Sequence, residues 1–256
     1  MKSNELDLFI KEIKYNNRNP KNQQVLDILN DKDTNPVLSI NKEELLFRAR
    51  IVEPDSPLER KQPFYGFSEK DSFVPPVNKT KDMRANYKYI PYLYCSNKPY
   101  IAISEVKPRV GAKISVASIL VLDTLKLFDL TMQSKPINIT KEKEDLLNDL
   151  SEIFSKPITA DDEYLDYIPS QYISEFIKNI GYDGIVYRSV YDNDIFNLSS
   201  NASKRRYNIV IFNYDKCKPV ATNMIKIKNI NIECELIDES SGLDVNSPIE
   251  EALSDL

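Results

Sequence analysis

Apolar residues in the first 30 positions fall at helical spacing. Leu6, Phe9, Ile10 and Ile13 follow an i, i+3, i+4, i+7 pattern with Ser3 available as a cap, which predicts a short amphipathic helix. Val25, Leu26, Ile28 and Leu29 form a second short cluster before an Asp/Asn-rich break. The pattern then changes to alternation. Glu44 to Val52 predicts a strand on which Leu46, Arg48 and Arg50 share one side and Leu45, Phe47, Ala49 and Ile51 the other. Further strands are predicted over 89–95, 113–122, 125–130, 184–188 and 207–212, and a final one over 225–236 with a bulge near Asn229.

Helices interrupt these strands singly. Ser96, Asn97 and Pro99 signal the start of one that carries Ile101, Ala102, Glu105 and Val106. Leu146, Leu147, Leu150, Ile153 and Phe154 mark another, ending before Pro157. Tyr172, Ile173, Phe176, Ile177 and Ile180 mark a third, closed by Gly181. Runs of strands with isolated helices, rather than regular βαβ alternation, predict an α+β fold with largely antiparallel sheets and flanking helices. Residues 53–83 lack periodicity over an unusual length, so the segment is either disordered or functional, for example as a flap over a site. The divisions expected are a helical extension at 1–40, a main domain at 41–237 and an acidic tail at 238–256.

Composition removes several chemistries. The chain has no histidine, so Ser-His-Asp and Cys-His catalysis and any zinc site needing a His ligand are excluded. Its five glycines form no GxGxxG or Walker loop, which argues against a glycine-rich phosphate cradle. Cys95, Cys217 and Cys234 show no CxxC spacing, so a reducing, cytoplasmic compartment is the natural reading. Neither a signal peptide nor a membrane span is expected from the charged first residues. The net charge of −5 is uneven: residues 229–256 hold eight acidic residues and no Lys or Arg, which leaves the rest mildly basic. That balance suits an anionic small molecule and is too weak for direct nucleic-acid binding.

Three segments carry a resemblance. FRAR at 47–50, RANYKYIPYLYCSNKPYIAISEVKPRVG at 84–111 and YIPSQYISEFIKNIGYDGIVYRSV at 167–190 together resemble the RES domain, a family named for its Arg, Glu and Ser. The resemblance covers roughly residues 41–236. It implies a fold similar to the ADP-ribosyltransferase toxins and an activity that consumes NAD as the toxin of a bacterial toxin–antitoxin pair, with an Xre-type antitoxin as protein partner. By motif, Arg48 matches the leading Arg, Arg84 the second basic position, Tyr94 the strand before the helix, Glu105 the A-x-x-E helix, and Ser189 the residue after Y-R.

The chemistry of NAD assigns these residues roles. A pyrophosphate calls for the planar fork of arginine, making Arg48 and Arg84 the candidates with Arg50 behind them. Tyr94 would stack beside the nicotinamidium, Glu105 would bind the ribose and stabilise an oxocarbenium ion, and Ser189 would donate a hydrogen bond. No base is available to make Ser189 a nucleophile. Without the motif, each residue also has a plainer role: a strand arginine in a surface ion pair, one of fifteen tyrosines in packing, a helical glutamate on a solvated face, Lys204–Arg206 in a solvated loop. The reaction expected is cleavage of the nicotinamide–ribose bond, by phosphorolysis with phosphate as co-substrate. No metal or bound cofactor is implied. The alternatives are a mono-ADP-ribosyltransferase and a catalytically silent nucleotide- or partner-binding module. The acidic tail reads either as a disordered end or as a helix over 248–256 that docks at a cationic pocket mouth.

Overall fold

The computed structural model describes residues 4–53, 65–156, 164–191 and 206–230. Helix α1 (Asn4–Lys11) runs into a π-helical turn over Glu12–Asn16, and α2 (Gln24–Asn30) follows. The strands are β1 (Val37–Ile40), β2 (Leu45–Val52), β3 (Leu93–Ser96), β4 (Lys113–Val121), β5 (Leu125–Asp129), β6 (Gly184–Arg188), β7 (Tyr207–Ile211) and β8 (Cys217–Lys226). Between them lie α3 (Glu69–Ser72), α4 (Pro99–Glu105), α5 (Lys141–Ser155) and α6 (Tyr164–Asn179). Among the described residues the strands form one eight-stranded sheet in the order β1-β5-β6-β7-β3-β2-β4-β8. Only β5 and β6 pair in parallel, across the crossover that holds α5 and α6. The architecture is therefore α+β and largely antiparallel, as the alternating pattern requires.

The sheet is covered on both faces. On one, α1, α2, α5 and α6 bury Phe9, Leu29, Leu147, Phe154 and Ile177 against Phe128, Ile185, Val210 and Phe212 of the sheet. On the other, Leu46, Leu93, Ile119, Leu127, Val186 and Ile209 form a second cluster. Successive residues of β6 (Ile185, Val186, Tyr187) alternate between the two, so a central strand reads as an unbroken apolar run. A smaller cluster of Ala49, Ala102, Ile114 and Val116 seats α4 on β2 and β4. Residues 4–40 share these layers: α1 and α2 join the first cluster and β1 pairs with β5.

Several expectations need correction. The strand expected over 89–95 begins only at Leu93, because Tyr89 has φ +73° and Pro91 has no N–H to pair. Its apolar density reflects packing, with Tyr92 only 1% exposed. The helix expected from Tyr172 starts earlier, at Tyr164, and runs through Pro169, which lies in its second turn and removes one intrahelical N–H donor there. The last strand among the described residues is Cys217–Lys226; of the strand expected over 225–236, residues 227–230 are not strand and 231–236 lie outside the described residues. The register of β8 shifts opposite Ser118/Ile119, beside Pro219, at a position a sheet-edge strand tolerates. β1 was not anticipated, being only four residues long. Gly181 does close α6, at φ +100°. Ser3, Lys204, Arg205 and the tail from 231 onward lie outside the described residues.

Residues 65–72 pack on β4 and β8 rather than extending as a free flap. Phe67 N–H donates to Ser115 Oγ at 3.1 Å and Tyr65 N–H to the Thr222 carbonyl at 3.2 Å. Gly66, at φ +153°, passes so close that a Cβ there would lie 2.3 Å from Ser115 Oγ.

Helix α5 is capped by Thr140, whose Oγ1 accepts from Lys143 N–H at 3.3 Å. Thr140→Ala should destabilise the protein by about 1 kcal/mol, lowering Tm by roughly 2–4 °C in a melt followed by circular dichroism.

Candidate active site

The alternation of β2 sets Arg48 and Arg50 on the side away from Phe47 and Ala49, and this decides what each can reach. β2 and β3 pair only at Phe47↔Ser96 and then part. Arg48 fills the parting: its Nη1–H donates to the Tyr94 carbonyl at 3.1 Å, and its Nε is buried with no hydrogen-bond partner. Burial, and more weakly the charge of Arg50, push the Arg48 guanidinium below its ordinary pKa, with Cys95 acting the other way. Arg50 donates to the Asp71 carbonyl and lies over the Phe67 ring at 5.1 Å. Its guanidinium thus tethers the 65–72 segment.

Beside this parting opens a cavity of about 780 Å³. Its walls come from β2, β3, α4, the end of α5, β6 and β7, and its lining includes Arg48, Arg84, Tyr94, Glu105, Tyr187 and Asn208. The volume is in the range of small-molecule sites.

Glu105 ends α4 and is exposed at the cavity. One of its oxygens is nevertheless fixed. Oε1 accepts from Ser189 Oγ–H at 2.8 Å and from Asn208 Nδ2–H at 2.6 Å. Ser189 also accepts from Tyr191 N–H at 3.2 Å, and both Ser189 and Asn208 are buried. Asn208 is oriented in turn by Ser96, whose hydroxyl donates to its Oδ1 at 2.6 Å. Because a carboxylate only accepts, the amide must turn its NH₂ to Glu105 and its carbonyl to Ser96. A chain of donors, Ser96 to Asn208 to Glu105, thus aims one carboxylate into the cavity.

Arg84 and Tyr94 line the same cavity, but their polar ends are already engaged. Arg84 donates from Nη1 to the Ile153 carbonyl at 2.7 Å and from Nη2 to the Lys156 carbonyl. It therefore caps the C-terminus of α5, where carbonyls lack intrahelical partners. The Tyr94 hydroxyl accepts from Ala85 N–H at 3.1 Å and donates to Asn86 Oδ1 at 2.8 Å. Burial is the main reason its pKa lies far above the ordinary phenol value. Residues 83–86 are held from the other side by Gln171, which donates to the Met83 and Asn86 carbonyls, and by Ser170, which donates to the Arg84 carbonyl.

The cavity thus brings together Arg48, Arg84, Tyr94 and Glu105, with Ser189 behind Glu105; Arg50 also lines it while holding Asp71 and Phe67, and Arg206 is engaged elsewhere, over the Tyr100 ring at 4.8 Å. Asn208 and Ser96 were missed by sequence reasoning. The available signal was an amide inside the apolar run YNIVIF, a poor strand residue unless it has a buried polar partner. Cys95 and Cys217 are free and buried, and burial holds both thiols up, Cys217 at about 12, so neither is a nucleophile at neutral pH. Among the described residues no group of three or more His, Cys, Asp or Glu could hold a metal ion. No described helix is long and apolar enough to cross a membrane.

The RES domain model matches residues 54–226, and the chain belongs to the RES domain family. The match contains Arg84, Tyr94, Glu105 and Ser189 and begins after β2, so Arg48 belongs to the site by geometry. No curated protein matches the chain. The solved M. tuberculosis MbcT–MbcA toxin–antitoxin complex aligns with a TM-score of 0.44 and 12% identity, over 79% of this chain and 93% of that one. That likeness is too distant to transfer a residue or an activity.

Removing the Arg84 fork should leave α5 uncapped. Arg84→Ala is expected to cost about 2 kcal/mol in urea unfolding, with Arg84→Lys intermediate, since hydrogen bonds from a charged donor contribute about 1.5–3 kcal/mol. An unchanged midpoint in both variants would mean that the cap does not support the fold.

Proposed function

We propose that this RES domain protein cleaves the nicotinamide–ribose bond of NAD, acting as the toxin of a toxin–antitoxin pair. The observation that carries the reading is the single carboxylate of Glu105, fixed through Oε1 and directed into a cavity whose other walls hold Arg48 and Arg84. NAD has the complementary charge pattern: an anionic pyrophosphate, and a ribose that becomes cationic as nicotinamide leaves. Negative charge positioned before the reaction stabilises that ribosyl cation without reorganisation. The donors from Ser189 and Asn208 hold Glu105 in place while leaving Oε2 for the substrate.

In this mechanism nicotinamide departs with the bonding electrons and the oxocarbenium ion forms beside Glu105. The N–H groups of Arg84 not used by the α5 carbonyls, together with Arg48, bind the pyrophosphate. The ring of Tyr94, held by its tied hydroxyl, shields the nicotinamidium. Inorganic phosphate then attacks the anomeric carbon, giving ADP-ribose 1''-phosphate. Ser189 serves Glu105 and does not attack, because its hydroxyl proton is committed to the carboxylate and the chain has no histidine to remove it. An antitoxin protein that covers the cavity mouth is the expected partner, and NAD enters as substrate, with no metal or resident cofactor required.

Incubating the protein with NAD, with and without phosphate, and identifying the products by mass spectrometry tests the reading. ADP-ribose 1''-phosphate and nicotinamide are expected with phosphate. ADP-ribose alone in both reactions would assign water as acceptor, and intact NAD would overturn the proposal.

Glu105→Gln keeps the size and removes the charge, so kcat should fall about a hundredfold or more while NAD still binds in a calorimetric titration. Unchanged kcat in the folded variant would remove Glu105 from the mechanism. Asn208→Leu deletes a donor to Glu105 and is expected to lower kcat by roughly tenfold, the loss of one charge-assisted hydrogen bond.

A further inference from the structure

Among the tyrosines lining the cavity, Tyr94 and Tyr187 place their hydroxyls very differently. Both hydrogen-bonding directions of the Tyr94 hydroxyl are occupied, by Ala85 N–H and Asn86 Oδ1. Tyr187 is only 8% exposed, its ring packed against Phe154 at 5.8 Å between centroids. Its hydroxyl hydrogen-bonds to none of the described residues, yet it is not among the polar atoms sealed from solvent without a partner. Buried phenols ordinarily find a partner. A ring anchored in the core, lining the cavity, with a hydroxyl unpartnered among the described residues is an arrangement for contacting a ligand.

The strand register locates that hydroxyl. Tyr187 lies opposite Asn208 in the β6–β7 ladder, where side chains on one face stand about 5 Å apart. Ser189 follows two residues later on the same face, about 7 Å along the strand. Asn208 and Ser189 are the two residues that donate to Glu105 Oε1. Tyr187 therefore adjoins the carboxylate from below, and no described residue donates to Oε2. The electrostatics agree: burial first, and then the charge of Glu105, raise the Tyr187 pKa, with Arg84 opposing. The phenol is protonated at neutral pH and available as a donor.

The geometry points to Tyr187 as a substrate-binding residue: its phenol donates to a ribose hydroxyl, and that hydroxyl donates to Glu105 Oε2. A sugar hydroxyl is the group that fits, because it accepts and donates at once, whereas a phosphate oxygen would meet the Glu105 carboxylate as a like charge. The assignment rests on the NAD reading above and gives the site a means of selecting a ribonucleotide: the 2'-hydroxyl of the nicotinamide ribose is bridged between two fixed groups. A site built to pair with a hydroxyl discriminates against the analogue that lacks it, since the phenol and carboxylate are then left without a partner.

The test uses carba-NAD, whose nicotinamide ribose carries a methylene in place of the ring oxygen and is not cleaved, and its 2'-deoxy counterpart. Affinities of the wild-type protein and of Tyr187→Phe are measured by calorimetry. Tyr187→Phe should bind carba-NAD roughly three- to tenfold more weakly, as for one neutral hydrogen bond, and should bind the deoxy analogue as the wild type does. Its Tm should stay at the wild-type value, because the deleted hydroxyl has no partner among the described residues. By contrast, Tyr94→Phe should lower Tm. A Tyr187→Phe protein that binds carba-NAD like the wild type overturns the assignment and leaves the NAD reading intact. Equal weakening toward both analogues places the hydroxyl on another part of the ligand and also overturns it. A wild-type protein that binds neither analogue overturns the NAD reading and this assignment together.

Discussion

The register of β6 on β7 is the constraint on which the site depends. It sets Tyr187 opposite Asn208 and carries Ser189 to the strand end, so three polar side chains meet at one point on the face that α4 approaches. Side chains alternate along a strand, and a slip of β6 by one residue would turn Tyr187 and Ser189 to the face opposite Asn208. The slip is opposed by the core itself. Ile185 and Val210 belong to the helix-covered layer and Val186 and Ile209 to the other, so a shifted register would bring apolar positions out of both. Hydrophobic packing on two faces thereby fixes the position of one carboxylate.

The neighbouring parting of β2 from β3 has the opposite character. A sheet that opens exposes backbone groups, and here a side chain satisfies one of them: Arg48 donates to the Tyr94 carbonyl in place of a strand partner. The same opening admits the cavity. Arg84 repeats the arrangement at the C-terminus of α5, and Arg50 does so at Asp71. Three arginines thus close gaps in the backbone around one pocket, and all three belong to its lining. The fork geometry explains the choice of residue, since a guanidinium serves a carbonyl on one side while keeping donors on the other, which an ammonium on a flexible stem does less well.

Charge is divided across the cavity in the same manner. Glu105 lies at one wall with its donors, while Arg48 and Arg84 belong to the others. The phenols between them, Tyr94 and Tyr187, are held neutral chiefly by burial. A ligand that enters meets a surface already polarised, with little reorganisation left to the moment of reaction.

The sequence alone determined the class of fold and pointed to Arg48, Arg84, Tyr94 and Glu105 among the lining. Alternation fixed β2, β4, β5, β6 and β7 to within a residue or two, and the A-x-x-E and Y-R-S segments named Glu105 and Ser189. These features are local: a strand's period and a motif's spacing lie within a few residues of one another. Tertiary structure decided what each side chain is free to do. That Arg50 holds Phe67 and Asp71, that the Tyr94 hydroxyl is tied to Ala85 and Asn86, and that Asn208 is oriented by Ser96 are contacts between strands and segments distant in the chain. A hydrogen bond depends on which groups the sheet order brings to one face, and that order arises from the burial of the whole chain. The role proposed for Tyr187 follows from the same cause, because the absence of a partner for its hydroxyl among the described residues is a property of its surroundings and leaves no mark in the residues beside it.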